Sequence, residues 1–208
     1  KAIGFLLLPI YTTHLSTAEY GGVAAVVVVG SFLHILCGGA LTAAVTRYFH
    51  SFGSNLDRRA EFLGTILSAV FAVSILICGL LLAWGEPLLR PLLGDVPFWP
   101  LMAMALGVAV FQPFFDTCLS ILQTAERPVA YVALALGNVL TKTGLAIWLV
   151  VGLRWSATGV LVAHLISAAL CFLLAAFALR GLARFCWRAD SLRRSLRYAL
   201  PLLLHMLS

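Results

Sequence analysis

The sequence predicts an all-α membrane protein, and three observations carry that prediction. First, 62% of the 208 residues are hydrophobic and 11% are charged, with a mean hydropathy of +1.03. A soluble domain of this size is about 45–50% apolar and about 25% charged. This chain cannot hide its apolar residues from water in one core, so a bilayer is the solvent it fits. Second, the apolar residues come in runs that can cross about 30 Å of hydrocarbon, which takes about 20 helical residues. Third, the arginines are divided unequally between alternate loops.

The runs follow in order. Residues 2–15 form an incomplete first span. Complete spans are predicted at 18–48, 61–85, 98–123, 128–151 and 158–182, and a seventh starts near Tyr198. Strands are excluded because the runs are too long and do not alternate. Between the first two spans, Ser16-Thr17-Ala18-Glu19 has the spacing of a capping box, in which cap hydroxyl and glutamate satisfy each other's backbone amides. Leu15 and Tyr20 flank it at the spacing of a hydrophobic staple. The stretch "GEPLLRPLLGDVPFWP" holds four of the eight prolines and is expected to be a turn-rich loop. In "ERP", Pro128 falls at the first position of a helix, where its missing N–H costs nothing. The sequence starts at Lys1 and ends inside the apolar run "YALPLLLHMLS", so it is expected to be a fragment of a longer membrane protein.

Loop charge sets the expected orientation. Arg47, Arg58, Arg59, Arg127, Arg180, Arg184, Arg188, Arg193, Arg194 and Arg197 fall at one set of span ends, and only Arg90 and Arg154 at the other. By the positive-inside rule the loops at 49–60, 124–127 and 183–197 are cytoplasmic, and those at 15–17, 86–97 and 152–157 face outward. The net charge of +6 is therefore topological, with anionic lipid headgroups as its partner. A nucleic-acid partner is excluded, because it would require one continuous basic patch with exposed aromatics.

Polar residues inside the spans are the candidate functional groups. On the fourth span Gln112, Asp116, Ser120, Gln123 and Arg127 lie within about 80° of arc at 100° per residue. Tyr131, Asn138 and Lys142 share a face of the fifth. His164 and Ser167 are neighbours on the sixth, and Ser31, His34, Gly38 and Thr42 form a small and polar face on the second. The serines and Thr42 suit interhelical hydrogen bonds, and a lone histidine can be satisfied by a backbone carbonyl. Asp116 and Lys142 differ, because a charge within the bilayer costs at least about 2.5–3.5 kcal/mol. They either face a hydrated cavity or form a structural ion pair. Their depths differ by about 10 Å at 1.5 Å per residue, which favours a shared aqueous cavity over direct contact.

Motifs for catalysis are absent. The chain contains no HExxH, no GxSxG and no paired carboxylates in one span, so an enzyme is not expected. His14 and His50, at span ends, leave a membrane acyltransferase as the remote alternative. The five cysteines form no CxxC pair, and four lie inside apolar runs, where they act as small packing residues. No metal or cofactor is expected.

Several stretches together resemble the polysaccharide-unit flippases of the multidrug/oligosaccharidyl-lipid/polysaccharide exporter superfamily. "LPIYTTHLSTAEYG" is similar to that family's first loop at Pro9, Leu15, Ser16, Glu19, Tyr20 and Gly21. "GGALTAAVTRYFH" resembles the end of its second span at Gly39, Ala44 and Arg47. "LQTAERPVAY" resembles its fourth-to-fifth loop at Gln123 and Arg127, and "SLRRSLRYALPLLLHMLS" the lead-in to its seventh span. An internal echo fits the same plan. "FLLLPIYTTHLS" and "RYALPLLLHMLS" share Leu-Pro and, seven residues on, Leu-Ser, at an offset of 192. Parallel repeats about an axis along the membrane normal are a known transporter design.

The resemblance implies a two-lobe transporter of twelve or more helices in an inner or plasma membrane. Residues 1–183 would be its N-terminal six-helix lobe, and 184–208 a basic linker with the start of helix seven. It also implies alternating access for a polyprenyl-diphosphate-linked oligosaccharide, in cell-surface polysaccharide export. The C-terminal lobe of the same chain and the bilayer are then the other partners, with H⁺ or Na⁺ as the coupling ion. Under that reading Lys142 and Arg47 contact the anionic headgroup, and Arg127 lies near the cytoplasmic mouth. Asp116 balances charge or binds the coupling ion, and Gln112, Asn138, His34 and His164 line the cavity. A drug or cation exporter, or a peptidoglycan-precursor flippase of the same superfamily, is the alternative.

Overall fold

The structure, a computed structural model, describes residues 16–52, 55–93, 98–184 and 186–207. The expected first span, with His14, Leu15 and the Pro9 repeat, lies outside the described residues. Helix α1 (Thr17–His34) passes through a π turn at Ile35–Gly39 into α2 (Ala40–Tyr48), and a 3₁₀ turn follows at Phe49–Phe52. Next come α3 (Leu56–Leu93), a kinked segment at Phe98–Met102 in which Trp99 is extended (φ -97°, ψ 134°), α4 (Ala103–Thr124) and α5 (Pro128–Ile147). A π turn at Trp148–Gly152, α6 (Ser156–Ala178) and α7 (Ala189–Leu207) complete the described chain. Among the described residues there are five helical stretches long and apolar enough to cross a membrane: Glu19–Phe52, Leu56–Pro87, Trp99–Thr124, Pro128–Gly152 and Ser156–Ala178. They carry an outward belt of exposed apolar side chains, among them Phe32, Leu76, Trp84, Leu140 and Phe177. Such a belt needs lipid or protein against it.

Local chemistry explains most boundaries. Ser16 Oγ accepts from the Glu19 N–H at 3.3 Å, and the Ser16 N–H donates to Glu19 Oε2 at 2.9 Å, which completes the expected capping box. Replacing Ser16 by Ala is expected to cost about 1 kcal/mol, read as a lower midpoint in thermal unfolding in detergent. Asn55 caps α3, its Oδ1 accepting from the Arg58 N–H at 3.1 Å. Helix α4 closes in a Schellman arrangement. The Arg127 N–H donates to the Leu122 carbonyl at 3.0 Å and the Glu126 N–H to the Gln123 carbonyl at 3.2 Å, with Glu126 at φ 55°. Pro128 opens α5 as expected.

Three expected loops are shorter than the sequence suggested. Of 49–60, residues 49–52 form the 3₁₀ turn and α3 already starts at Leu56. Of 86–97, residues 86–93 continue α3 through Pro87 and Pro91. Each proline removes one backbone donor, and at four residues apart both losses fall on one helix face. The other amides keep their partners, which favours continuing the helix. Of 183–197, residues 189–197 are already helical. Leu192, Ser195 and Ala199 recur at helical spacing and turn inward on α2 and α3, while Arg193, Arg194 and Arg197 stay exposed. The arginines dominate the composition there and disguise a short amphipathic stripe.

Helix α4 is the hub, packed against α1, α2, α3, α5 and α6. Burial covers 56% of its spanning window but only 17% of that of α5, so α5 stands at the margin. Two apolar cores divide the bundle along its length. One surrounds Phe62, Ile66, Phe115, Ile121 and Leu179, toward the arginine-rich end. The other surrounds Val26, Leu33, Met102, Leu106 and Leu161, toward the Ser16 end. His34, Gln112, Asp116, Lys142 and His164, polar residues predicted within the spans, fall between these cores.

Candidate functional site

The polar layer opens into a cleft of about 520 Å³ between α1, α4, α5 and α6. Its polar walls are His34, Gln112, Asp116, Lys142 and His164, with Ser31 beside Gly30, and its apolar walls include Val26, Ala105 and Leu161. Five of the eight residues expected to form the site therefore meet in one place, drawn from four helices.

Asp116 is the best-connected group in the cleft. His34 Nε2–H donates to its Oδ2 at 2.7 Å, and Gln112 Nε2–H lies 3.2 Å from each carboxylate oxygen. Gln112 comes from the preceding turn of α4, as the expected stripe requires. His34 arrives from α1 at the start of the π turn. A π turn inserts an extra residue and re-aims the side chains around it, and such turns recur at functional sites. The side chains of His34 and Asp116 are 38% and 33% exposed, so the pair looks into the cleft rather than being sealed in the core.

Lys142 enters from α5. Among the described residues it has no carboxylate within 4.0 Å, and it lines the same cleft as Asp116 and His164. The direct Asp116–Lys142 ion pair left open by the sequence is absent, and the two share a cavity. Among the described residues the cleft thus holds one carboxylate already occupied by donors and one ammonium with no carboxylate within 4.0 Å. Among the described residues no cluster of three or more His, Cys, Asp or Glu is arranged to hold a metal ion.

The remaining three candidates lie elsewhere. Arg47 is at the arginine-rich end, its guanidinium 4.6 Å from the Tyr198 ring centre and 5.9 Å from that of Tyr48. Arg127 is exposed in the turn before α5. Asn138 does not line the cleft; its carbonyl accepts from Ser167 Oγ at 3.4 Å, which ties α5 to α6. Gln123, on the expected stripe, is exposed beyond the cleft. His50 is exposed beside the Phe49 ring.

Sequence reasoning missed what holds the cleft's two main helices together. One turn below His34, a Cβ added to Gly38 would lie 2.8 Å from Pro113 Cβ, so the α1–α2 and α4 backbones approach closely there. One turn further, Thr42 Oγ1 and Thr117 Oγ1 are 2.8 Å apart, and each hydroxyl also reaches its own helix, at the Gly38 and Pro113 carbonyls. The small and polar face on the second span was visible, but its counterpart, Pro113 and Thr117, was not. A proline followed four residues later by threonine in an apolar span was the available signal.

In comparison with known proteins, no family model, curated protein or solved structure matches the chain.

Proposed function

We propose that this chain forms one lobe of a two-lobe transporter, and that its cleft receives the diphosphate end of a polyprenyl-diphosphate-linked oligosaccharide during flipping. The observation that supports this most is the unequal satisfaction of the two cleft charges. Asp116 is engaged by His34 and Gln112, while Lys142 has no carboxylate within 4.0 Å among the described residues. An ammonium in a largely apolar cleft, where the Asp116 carboxylate is already engaged, is suited to an anionic group from outside. The apolar walls at Val26, Ala105 and Leu161 suit a partly dehydrated site, where a charge-assisted hydrogen bond is worth more than in water.

Flipping of a fluorescent polyprenyl-diphosphate oligosaccharide by the complete transporter in proteoliposomes tests this. Lys142→Gln is expected to lower the rate at subsaturating substrate about tenfold, the value of one hydrogen bond to a charged group, and Lys142→Arg to retain most of it. Unaltered flipping by a well-inserted Lys142→Gln protein would remove Lys142 from the role. A second reading, an exporter that exchanges a cationic compound for protons or sodium, draws on the Asp116 carboxylate in the cleft wall. Uptake of a lipophilic cation that depends on Asp116 but not on Lys142 would favour it.

A further inference from the structure

A second cavity, of about 280 Å³, lies at the arginine-rich end and shares no lining residue with the cleft. Its floor is aromatic: Tyr48, Phe52 and Phe62. Its walls carry guanidinium groups from separate parts of the chain. Arg58 belongs to the first turn of α3, Arg188 immediately precedes α7, and Arg194 is in the second turn of α7. Asp190 and Ser191 also line it, so the N-terminal turn of α7 borders the cavity.

The segment that delivers Arg188 is fastened to α3 along its length. The Arg184 N–H donates to the Ala60 carbonyl at 3.0 Å, and the Arg184 side chain meets Asp57 at 3.1 Å. Thr65 Oγ1 donates to the Cys186 carbonyl at 2.8 Å and accepts from the Arg188 N–H at 3.4 Å. Arg188 Nε is 2.8 Å from Glu61 Oε2, which fixes the guanidinium while leaving its terminal nitrogens uncommitted to that bond. Arg58 and Arg194 have no carboxylate within 4.0 Å among the described residues. Even with Asp190 and Glu61 counted against the arginines, the site keeps an excess positive charge. The first-turn amides of α7 add donors without helical acceptors and a favourable dipole end.

We propose that this pocket binds a phosphate ester, supplied in the membrane by the headgroup of an anionic phospholipid. Several planar guanidinium forks match the oxygens of a phosphate better than a single carboxylate. The aromatic floor offers no anionic acceptor to compete for the guanidinium groups, and it can carry the glycerol part of the headgroup. Being small, the pocket takes a headgroup and leaves the acyl chains outside. A bound phosphate would bridge α3 to the start of α7 and hold the linker helix against the bundle. This site is independent of the transport reading of the cleft.

The test uses the full chain in nanodiscs of phosphatidylcholine with a minor fraction of phosphatidylglycerol, reading retained lipid by native mass spectrometry. Arg58→Gln with Arg194→Gln is expected to weaken phosphatidylglycerol retention roughly 30-fold, from the typical contribution of two interfacial cations. Arg58→Lys with Arg194→Lys should keep most of it, and Arg180→Gln, on a residue that lies over Phe177 instead of the pocket, should leave it unchanged. In discs of phosphatidylcholine alone, glycerol phosphate added to the buffer distinguishes the source. Thermal stabilisation by it that disappears in the double glutamine variant supports the site and assigns it to a soluble phosphate ester. Equal lipid loss in Arg180→Gln and the double variant would reduce the effect to general surface attraction and overturn the proposal. So would a double variant that keeps both responses.

Discussion

On the proposed transport reading, Asp116→Asn in the complete protein is expected to bring flipping near the background of protein-free vesicles while leaving the bundle folded. An asparagine oxygen can still accept from His34 Nε2–H and from Gln112, so the hydrogen bonds at 2.7 and 3.2 Å have a substitute acceptor. What disappears is the carboxylate charge, which on the proposed reading exchanges a proton or sodium ion and balances Lys142 across the cleft. Asp116→Ala is expected to add a structural penalty of about 1.5 kcal/mol, the lower range for a hydrogen bond to a charged group, because the pair is one-third exposed and part of its strength is screened. Unfolding in detergent separates the two effects, with the Asn variant near the parent and the Ala variant below it. Full transport by Asp116→Asn would show that the charge is not used. An Ala variant as stable as the parent would show that the His34 contact contributes nothing to folding.

The largest structural effect is expected from Gly38→Leu, at about 3 kcal/mol of destabilisation, the upper part of the usual range for overpacking a filled core. Even the first added carbon would lie 2.8 Å from Pro113 Cβ and 3.3 Å from Val70 Cγ1. Pro113 cannot swing aside, since its ring is part of the α4 backbone. The helices would separate, stretching the Thr42–Thr117 bond one turn away and the His34–Asp116 contact on the other side. Gly79→Ala is the comparison at an open site. Nothing lies within 4 Å of a Cβ at Gly79, so the backbone-entropy gain of about 0.5–1 kcal/mol should appear there undiminished. Opposite signs at the two glycines, measured by thermal unfolding in the same detergent, check the close approach. A Gly38→Leu protein as stable as the parent would contradict it.

Much of the architecture was legible because membrane helices are written locally. The runs behind α1–α2, α3, α4, α5 and α6 follow from counting apolar residues, since a backbone in lipid must satisfy its own hydrogen bonds. The Ser16–Glu19 cap and Pro128 at the start of α5 follow from contacts within one turn. The Gln112–Asp116 pair follows from helical period, as does the small face of His34, Gly38 and Thr42. Where the reading slipped, at 86–93 and 189–197, residue identity pulled one way and geometry another. Prolines suggested a turn that two same-face losses did not force, and arginines concealed the inward stripe through Leu192, Ser195 and Ala199.

By itself, then, the sequence determined the solvent, the helices and which residues share a face, because those depend on composition and on neighbours within four positions. Which faces meet was decided by tertiary structure alone. His34 and Asp116 are 82 positions apart, and Thr42 and Thr117 are 75 apart. They meet because a π turn, a glycine and a proline set the approach and rotation of two helices. The same packing leaves Lys142 with no carboxylate within 4.0 Å among the described residues and gathers Arg58, Arg188 and Arg194 around one small pocket. Helical period fixes the angle of a side chain about its own axis, but the depth and rotation of one helix against another depend on how side chains fill the space between them.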